Sequence, residues 1–187
     1  WDSHADQDIQ VYQGYLCIVE MGITANEILC LAFSSDGSQL ASGGLDYTNP
    51  TIHLWNGHSG QETKVCGEHS NRVSCLAFNP DGSRLASGGY GEFLRLWDGH
   101  SGQEIQFSEG LSDSATCLAF SPDGSRLASG SQDGILHLWD GYSGQDIQVC
   151  EGHSRRISRL SFSPGGSRLA STSIDHTIMR LWDGYSG

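Results

Sequence analysis

Five tryptophans divide the chain at near-regular intervals, standing at positions 1, 55, 97, 139 and 182 in steps of 54, 42, 42 and 43 residues. Ahead of each of the last four runs one recurring segment: CLAFSSDGSQLASG, CLAFNPDGSRLASG, CLAFSPDGSRLASG and RLSFSPGGSRLAST. A sequence that repeats in phase repeats its fold, each copy burying its apolar surface against the next. Within a copy the pattern is one of short strands. Val73–Phe78 is apolar on both faces, as a strand covered from two sides must be. Asn79-Pro80-Asp81-Gly82 then supplies a turn, the proline fixing φ and the glycine accepting a left-handed conformation. Arg84–Ser87 begins a second strand, Phe93–Trp97 forms a third, Asp98–Gly102 turns the chain, and Glu104–Ser108 is a fourth. Charged residues at 17% and 25 glycines in 187 residues suit this plan and are poor material for long helices.

A period near 42 residues with a Trp-Asp signature marks a four-stranded blade, and on these motifs the chain resembles the WD-repeat family over essentially its whole length. The resemblance implies an all-β fold: a β-propeller of four-stranded antiparallel blades, four in this chain, as a single domain or a half-propeller over 1–187. The repeats run over approximately 14–56, 57–98, 99–140 and 141–183. Asp8–Tyr12 (DIQVY) matches Asp146–Cys150 (DIQVC), so the chain opens with an outer strand and closes at Trp182–Gly187 without one. Family members typically close the ring with such an N-terminal strand, which makes 8–12 the expected completion of the last blade. Four blades are few for a family whose rings usually hold seven or eight. Two copies joined as an eight-bladed homodimer are therefore expected, with membership of a longer propeller array as the alternative.

The resemblance also implies a buried hydrogen-bonded tetrad of His, Ser or Thr, Asp and Trp. Repeat four matches it in full, as His153, Ser171, Asp175 and Trp182. Repeat two has His69, Ser87 and Trp97 with Gly91 at the aspartate position. Repeat three has Ser129, Asp133 and Trp139 with Leu111 for the histidine, and repeat one has Ser42, Asp46 and Trp55 with Tyr15 or an inserted residue there. A catalytic-triad reading of these residues is rejected, because in the family they are structural and a serine inside a packed blade lacks substrate access.

The formal charge of −12 and the pI near 4.8 argue against nucleic-acid backbones and anionic membrane surfaces. No apolar run is long enough for a helical membrane span. The six cysteines recur with the repeat and have no CxxC spacing, so they read as buried thiols in a reducing, cytoplasmic setting. Histidines and turn aspartates lack metal-site spacing, and the pairs Gly43-Gly44 and Gly88-Gly89 lack the lysine of a phosphate loop; no metal or cofactor is expected.

Two features stand out from the repeat. Arg155, Arg156 and Arg159, with Arg72 the one match elsewhere, form a basic patch in and after a top-face loop, suited to an acidic or phosphorylated peptide or else simply solvated. Repeat one carries two insertions on the same face, about Leu16–Thr24 and near Tyr47–Pro50, read as either terminal drift or a contact bump in which Leu16, Ile18 and Tyr47 meet a partner. The resemblance implies a non-enzymatic scaffold that binds proteins or peptides through top-face loops. The alternatives are the sensor end of a signalling nucleotide-binding ATPase and a sugar-binding propeller.

Overall fold

The computed structural model describes residues 27–45, 51–67, 69, 72–91, 93–109, 111, 113–174 and 179–187. Among the described residues there are fifteen strands in four antiparallel sheets, and no helix. Blade 1 is β1 (Glu27–Phe33), β2 (Gln39–Leu45), β3 (His53–Asn56) and β4 (Glu62–Val65); blade 2 is β5 (Val73–Phe78), β6 (Arg84–Gly89), β7 (Phe93–Asp98) and β8 (Glu104–Glu109). Blade 3 is β9 (Ala115–Phe120), β10 (Arg126–Ser131), β11 (Leu136–Asp140) and β12 (Asp146–Cys150), and blade 4 is β13 (Ile157–Phe162), β14 (Arg168–Ser173) and β15 (Met179–Asp183). Each sheet is ordered as its strands occur in the chain, so every blade is a simple meander. The all-β propeller architecture read from the repeat is the one observed. The segment 8–12 expected to complete blade 4 lies outside the described residues, as do Asp46, Tyr47, Leu16, Ile18 and Asp175.

Two turns explain most of the repeated polar sequence. In the first, Gly82 takes φ +73° and its N–H donates to the Asn79 carbonyl at 3.0 Å, while Asp81 accepts from the Ser83 N–H at 2.8 Å. In the second, the aspartate of the Trp-Asp pair is the organiser: Asp98 Oδ1 accepts from the N–H groups of His100 (3.2 Å) and Ser101 (2.8 Å). Asp140 and Asp183 repeat this turn, and Asn56 does the same in blade 1. These hydrogen bonds favour the ionised form, so they hold the Asp98, Asp140 and Asp183 carboxyls below the usual range. Arg84 and Arg168, at one repeat position, pair with Asp98 and Asp183 at 3.6 and 3.4 Å.

The blades stack in chain order, β1 against β5, β5 against β9 and β9 against β13, with the core lying between blades. Each blade has a forward face toward its successor and a rear face toward its predecessor. At the first junction Ala41, Ile52, Leu54 and Cys66 of blade 1 meet Val73, Leu85 and Trp97 of blade 2. At the second, Cys75, Ala86, Leu94 and Leu96 meet Leu111, Ala115, Leu127 and Trp139; at the third, Ala128, Leu136, Leu138 and Cys150 meet Ile157, Leu169 and Trp182. Burial of each large aliphatic side chain contributes about 1.5–3 kcal/mol.

The pairs Gly43-Gly44 and Gly88-Gly89 stand inside the second strand of their blades. Each has its own reason to be glycine. A Cβ on Gly43 would lie 2.8 Å from Val73 of the next blade, and one on Gly44 would lie 1.8 Å from the Glu27 carbonyl oxygen, beside the bulge between Ile28 and Cys30. The first glycine admits the neighbouring blade and the second admits the strand beside it.

Candidate interaction site on the loop face

In blades 2, 3 and 4 the residues just before the first strand and just after the second strand lie at one end of the stack. They are tied in pairs: the N–H of Tyr90 donates to the Arg72 carbonyl at 2.9 Å, that of Gln132 to Ser114 at 3.0 Å, and that of Ile174 to Arg156 at 3.0 Å. The three acceptors share one repeat position, as do the three donors, so the architecture brings 72, 114 and 156 to one mouth. Between them opens a cavity of about 490 Å³, lined by Arg72, Tyr90, Asp113, Ser114, Thr116, Gln132 and Arg156. Its floor crosses two junctions by hydrogen bonds: Ser74 Oγ donates to the Ala115 carbonyl at 2.9 Å, and Thr116 Oγ1 to the Ile157 carbonyl at 2.5 Å.

Of the four arginines singled out in the sequence, Arg72 and Arg156 meet in this cavity although 84 positions separate them. Arg155 and Arg159 do not line it. Arg155 stays exposed in the loop, its carbonyl accepting from Ser173 Oγ at 3.1 Å, and Arg159 lies exposed on β13. The one acid in the lining, Asp113, is held by the Ser114 N–H at 2.6 Å. Tyr90, Ser114, Thr116 and Gln132 were not singled out in the sequence; Ser114 stands at the repeat position of Arg72 and Arg156, while Tyr90 and Gln132 stand at the position whose N–H donates to it. The opposite mouth has another character: a cavity of about 450 Å³ lined by Phe33, Phe78, Phe120 and Phe162, one per blade, with Pro80 and Pro122.

Beneath the loops lies the polar network. The indole N–H of each late tryptophan donates to the serine of its own blade: Trp55 to Ser42 and Trp139 to Ser129 at 2.9 Å, Trp97 to Ser87 and Trp182 to Ser171 at 2.8 Å. In blade 4 His153 Nε2 meets Ser171 Oγ at 2.7 Å, which connects three of the four expected members. The Ser171 hydroxyl is buried and engaged by both neighbours. At the histidine position of blade 3 Leu111 is buried in the core, and Asp133 instead accepts from Ser131 Oγ and from the Ile135 N–H at 3.0 Å. The described cysteines are free thiols, and burial pushes those of Cys30 and Cys66 up to about 12.

A family model described as "WD domain, G-beta repeat" matches residues 17–56, 60–98, 102–140 and 144–183. The chain belongs to the WD40 repeat family. The matched repeats and the sheets are out of phase by one strand, since each of the first three blades takes its fourth strand from the start of the following WD40 match: β4 (Glu62–Val65) falls within 60–98. No curated protein matches the chain. WD40 repeats generally form non-enzymatic scaffolds for protein interaction, and the Trp–Ser pairs, kept in all four blades, are the packing element of this WD40 chain.

Proposed function

We propose that this WD40 chain is a recognition module that receives an acidic or phosphorylated segment of a partner protein in the loop-face cavity. The observation that carries this reading is the meeting of Arg72 and Arg156 at one mouth, in a protein of formal charge −12. The rest of the surface repels an acidic peptide, so attraction concentrates at the two guanidinium groups, which match carboxylate and phosphate oxygens in a planar fork. Ser114, Thr116 and Gln132 add neutral hydrogen-bonding groups, and Tyr90 is an exposed aromatic at the rim. Because the cavity walls come from blades 2, 3 and 4, the site is a property of the stack and not of any single repeat.

The test is fluorescence anisotropy with a panel of acidic, phosphoserine and neutral peptides of equal length. Acidic or phosphorylated members bind, and replacing Arg72 and Arg156 together by alanine weakens them at least about tenfold, the value of one charged hydrogen bond. Equal binding of neutral peptides, or indifference to both substitutions, would sink the proposal.

A further inference from the structure

The sign of the charge at the loop-face mouth alternates from blade to blade. Arg72, Ser114 and Arg156 share one repeat position, because their carbonyls accept from the N–H groups of Tyr90, Gln132 and Ile174. In blade 1 that position is Glu27: a Cβ on Gly44 would lie 1.8 Å from its carbonyl oxygen, as one on Gly89 would from that of Arg72. Glu27 is exposed. Blade 3 has a neutral serine at the position itself, and the residue before it, Asp113, supplies an acid that lines the same cavity as both arginines. From blade 1 to blade 4 the order is therefore acid, base, acid, base.

These charges are not cancelled in place. Asp113 takes the Ser114 N–H at 2.6 Å. Among the described residues the ion pairs are made by other groups, and none joins Asp113 to Arg156. Separate blades hold the two signs apart, so both remain available to a ligand. A run of acids that reaches Arg72 and Arg156 together must set one of its own carboxylates toward Asp113, and Glu27 lies on the other side of Arg72. Like charges facing each other oppose binding, whereas a base at that point adds a third favourable pair. The long-range field favours the same answer. A protein of formal charge −12 repels a segment in proportion to its negative charge, and a base between two acids lowers that charge without giving up either arginine contact.

We propose that the loop-face cavity selects a partner segment in which a lysine or arginine stands between two acidic residues, and that Asp113 imposes this order. The inference rests on the reading that Arg72 and Arg156 hold the acids of a partner, and it adds what lies between them. The two acids, carboxylate or phosphate, meet the guanidinium groups of blades 2 and 4, and the base meets Asp113 of blade 3. Asp113 is thus a specificity-determining residue: it contributes little to a lone acid and decides which charge may follow it.

Fluorescence anisotropy of the whole chain at low salt compares the labelled peptides Glu-Gly-Lys-Gly-Glu, Glu-Gly-Glu-Gly-Lys and Glu-Gly-Glu-Gly-Glu, each flanked by the same neutral residues. The first two have one composition and one net charge, so the difference between them reports order alone. The alternating peptide binds about fivefold more tightly than its isomer, and the difference shrinks as salt is added. Asp113→Asn, which keeps an acceptor for the Ser114 N–H, removes the preference and tightens the all-acidic peptide. Asp113→Lys makes the all-acidic peptide the tightest of the set. The tightening in both variants is a gain of binding, which loss of the fold cannot imitate. If no peptide binds, or replacing Arg72 and Arg156 by alanine changes nothing, the reading of the site falls and this inference with it. If the peptides bind through the arginines but the two isomers bind alike, or the preference survives Asp113→Asn, the inference alone is overturned.

Discussion

The second junction and the forward face of blade 4 share strand order, register and the Trp–Ser hydrogen bond, yet one is packed and the other is open. At the junction Leu94 and Leu96 are at most 1% exposed; at the equivalent positions of blade 4, Met179 and Leu181 are 72% and 65% exposed. The backbone does not distinguish them. The difference sits in residues with little weight in composition: a glycine against Thr172, a cysteine against Arg159 and an alanine against Ser161. The lesson is that in a stacked repeat the tolerance for a neighbour is set by the smallest side chains on a face, since aliphatic residues supply energy at any junction but only glycine supplies the space.

The largest test of this comparison is truncation on either side of it. Leu96→Ala should cost about 3 kcal/mol, because it empties a packed junction, while Leu181→Ala should change stability by less than about 0.5 kcal/mol. Urea unfolding of both variants decides, and equal losses would show that Leu181 is covered in solution. Next comes overpacking. Gly130→Ala should destabilise by about 2 kcal/mol, since its Cβ would meet Ile157 at 2.6 Å, whereas Thr172→Val should be nearly neutral on an open face. A thermal melt in which both behave alike would remove the distinction between the faces.

A third test addresses what the blades share. Ser129→Ala removes the acceptor of the buried Trp139 indole N–H and should cost about 1–2 kcal/mol, with a change in tryptophan fluorescence. Ser171→Ala removes the partner of both Trp182 and the buried His153 and should cost at least as much. The smallest effect is one of pH. Burial holds the His137 imidazole below its ordinary value, against the raising influence of Asp146 and Asp133, so the folded state favours the neutral ring. The unfolded chain therefore takes up the proton first, and this contribution to stability is present above about pH 6.5 and is lost as the pH falls below it. His137→Gln should flatten that part of the stability–pH curve, and an unchanged slope would assign it to other groups.

Much of the blade was legible residue by residue. Val73–Phe78 is a strand as expected, the Asn79–Gly82 turn forms, and the Trp–Ser pairs recur in every copy, because a hydrogen bond between fixed repeat positions needs only local pairing to form. The glycine pairs were legible as no phosphate loop but not as second-strand residues, since what they accommodate is another strand or another blade and neither lies nearby in sequence. The loop-face site was half legible. Arg72 and Arg156 stood out by chemistry, but Arg155 and Arg159 stood out equally, and adjacency in sequence said nothing about which of them would line the cavity.

By itself, the sequence determined the unit: its four-strand meander, its turns, its buried indole and its repetition, all of which rest on short-range spacing and turn chemistry. The tertiary structure decided what the units make of one another. Arg156, just ahead of β13, lines the loop-face mouth, and Arg159, within β13, lies on the forward face of the last blade, three residues apart and on different surfaces. The fold also places Thr172 where three other blades need empty space. Such distances between surfaces are fixed only once the blades are stacked, because the atoms that set them belong to chain segments some forty residues apart.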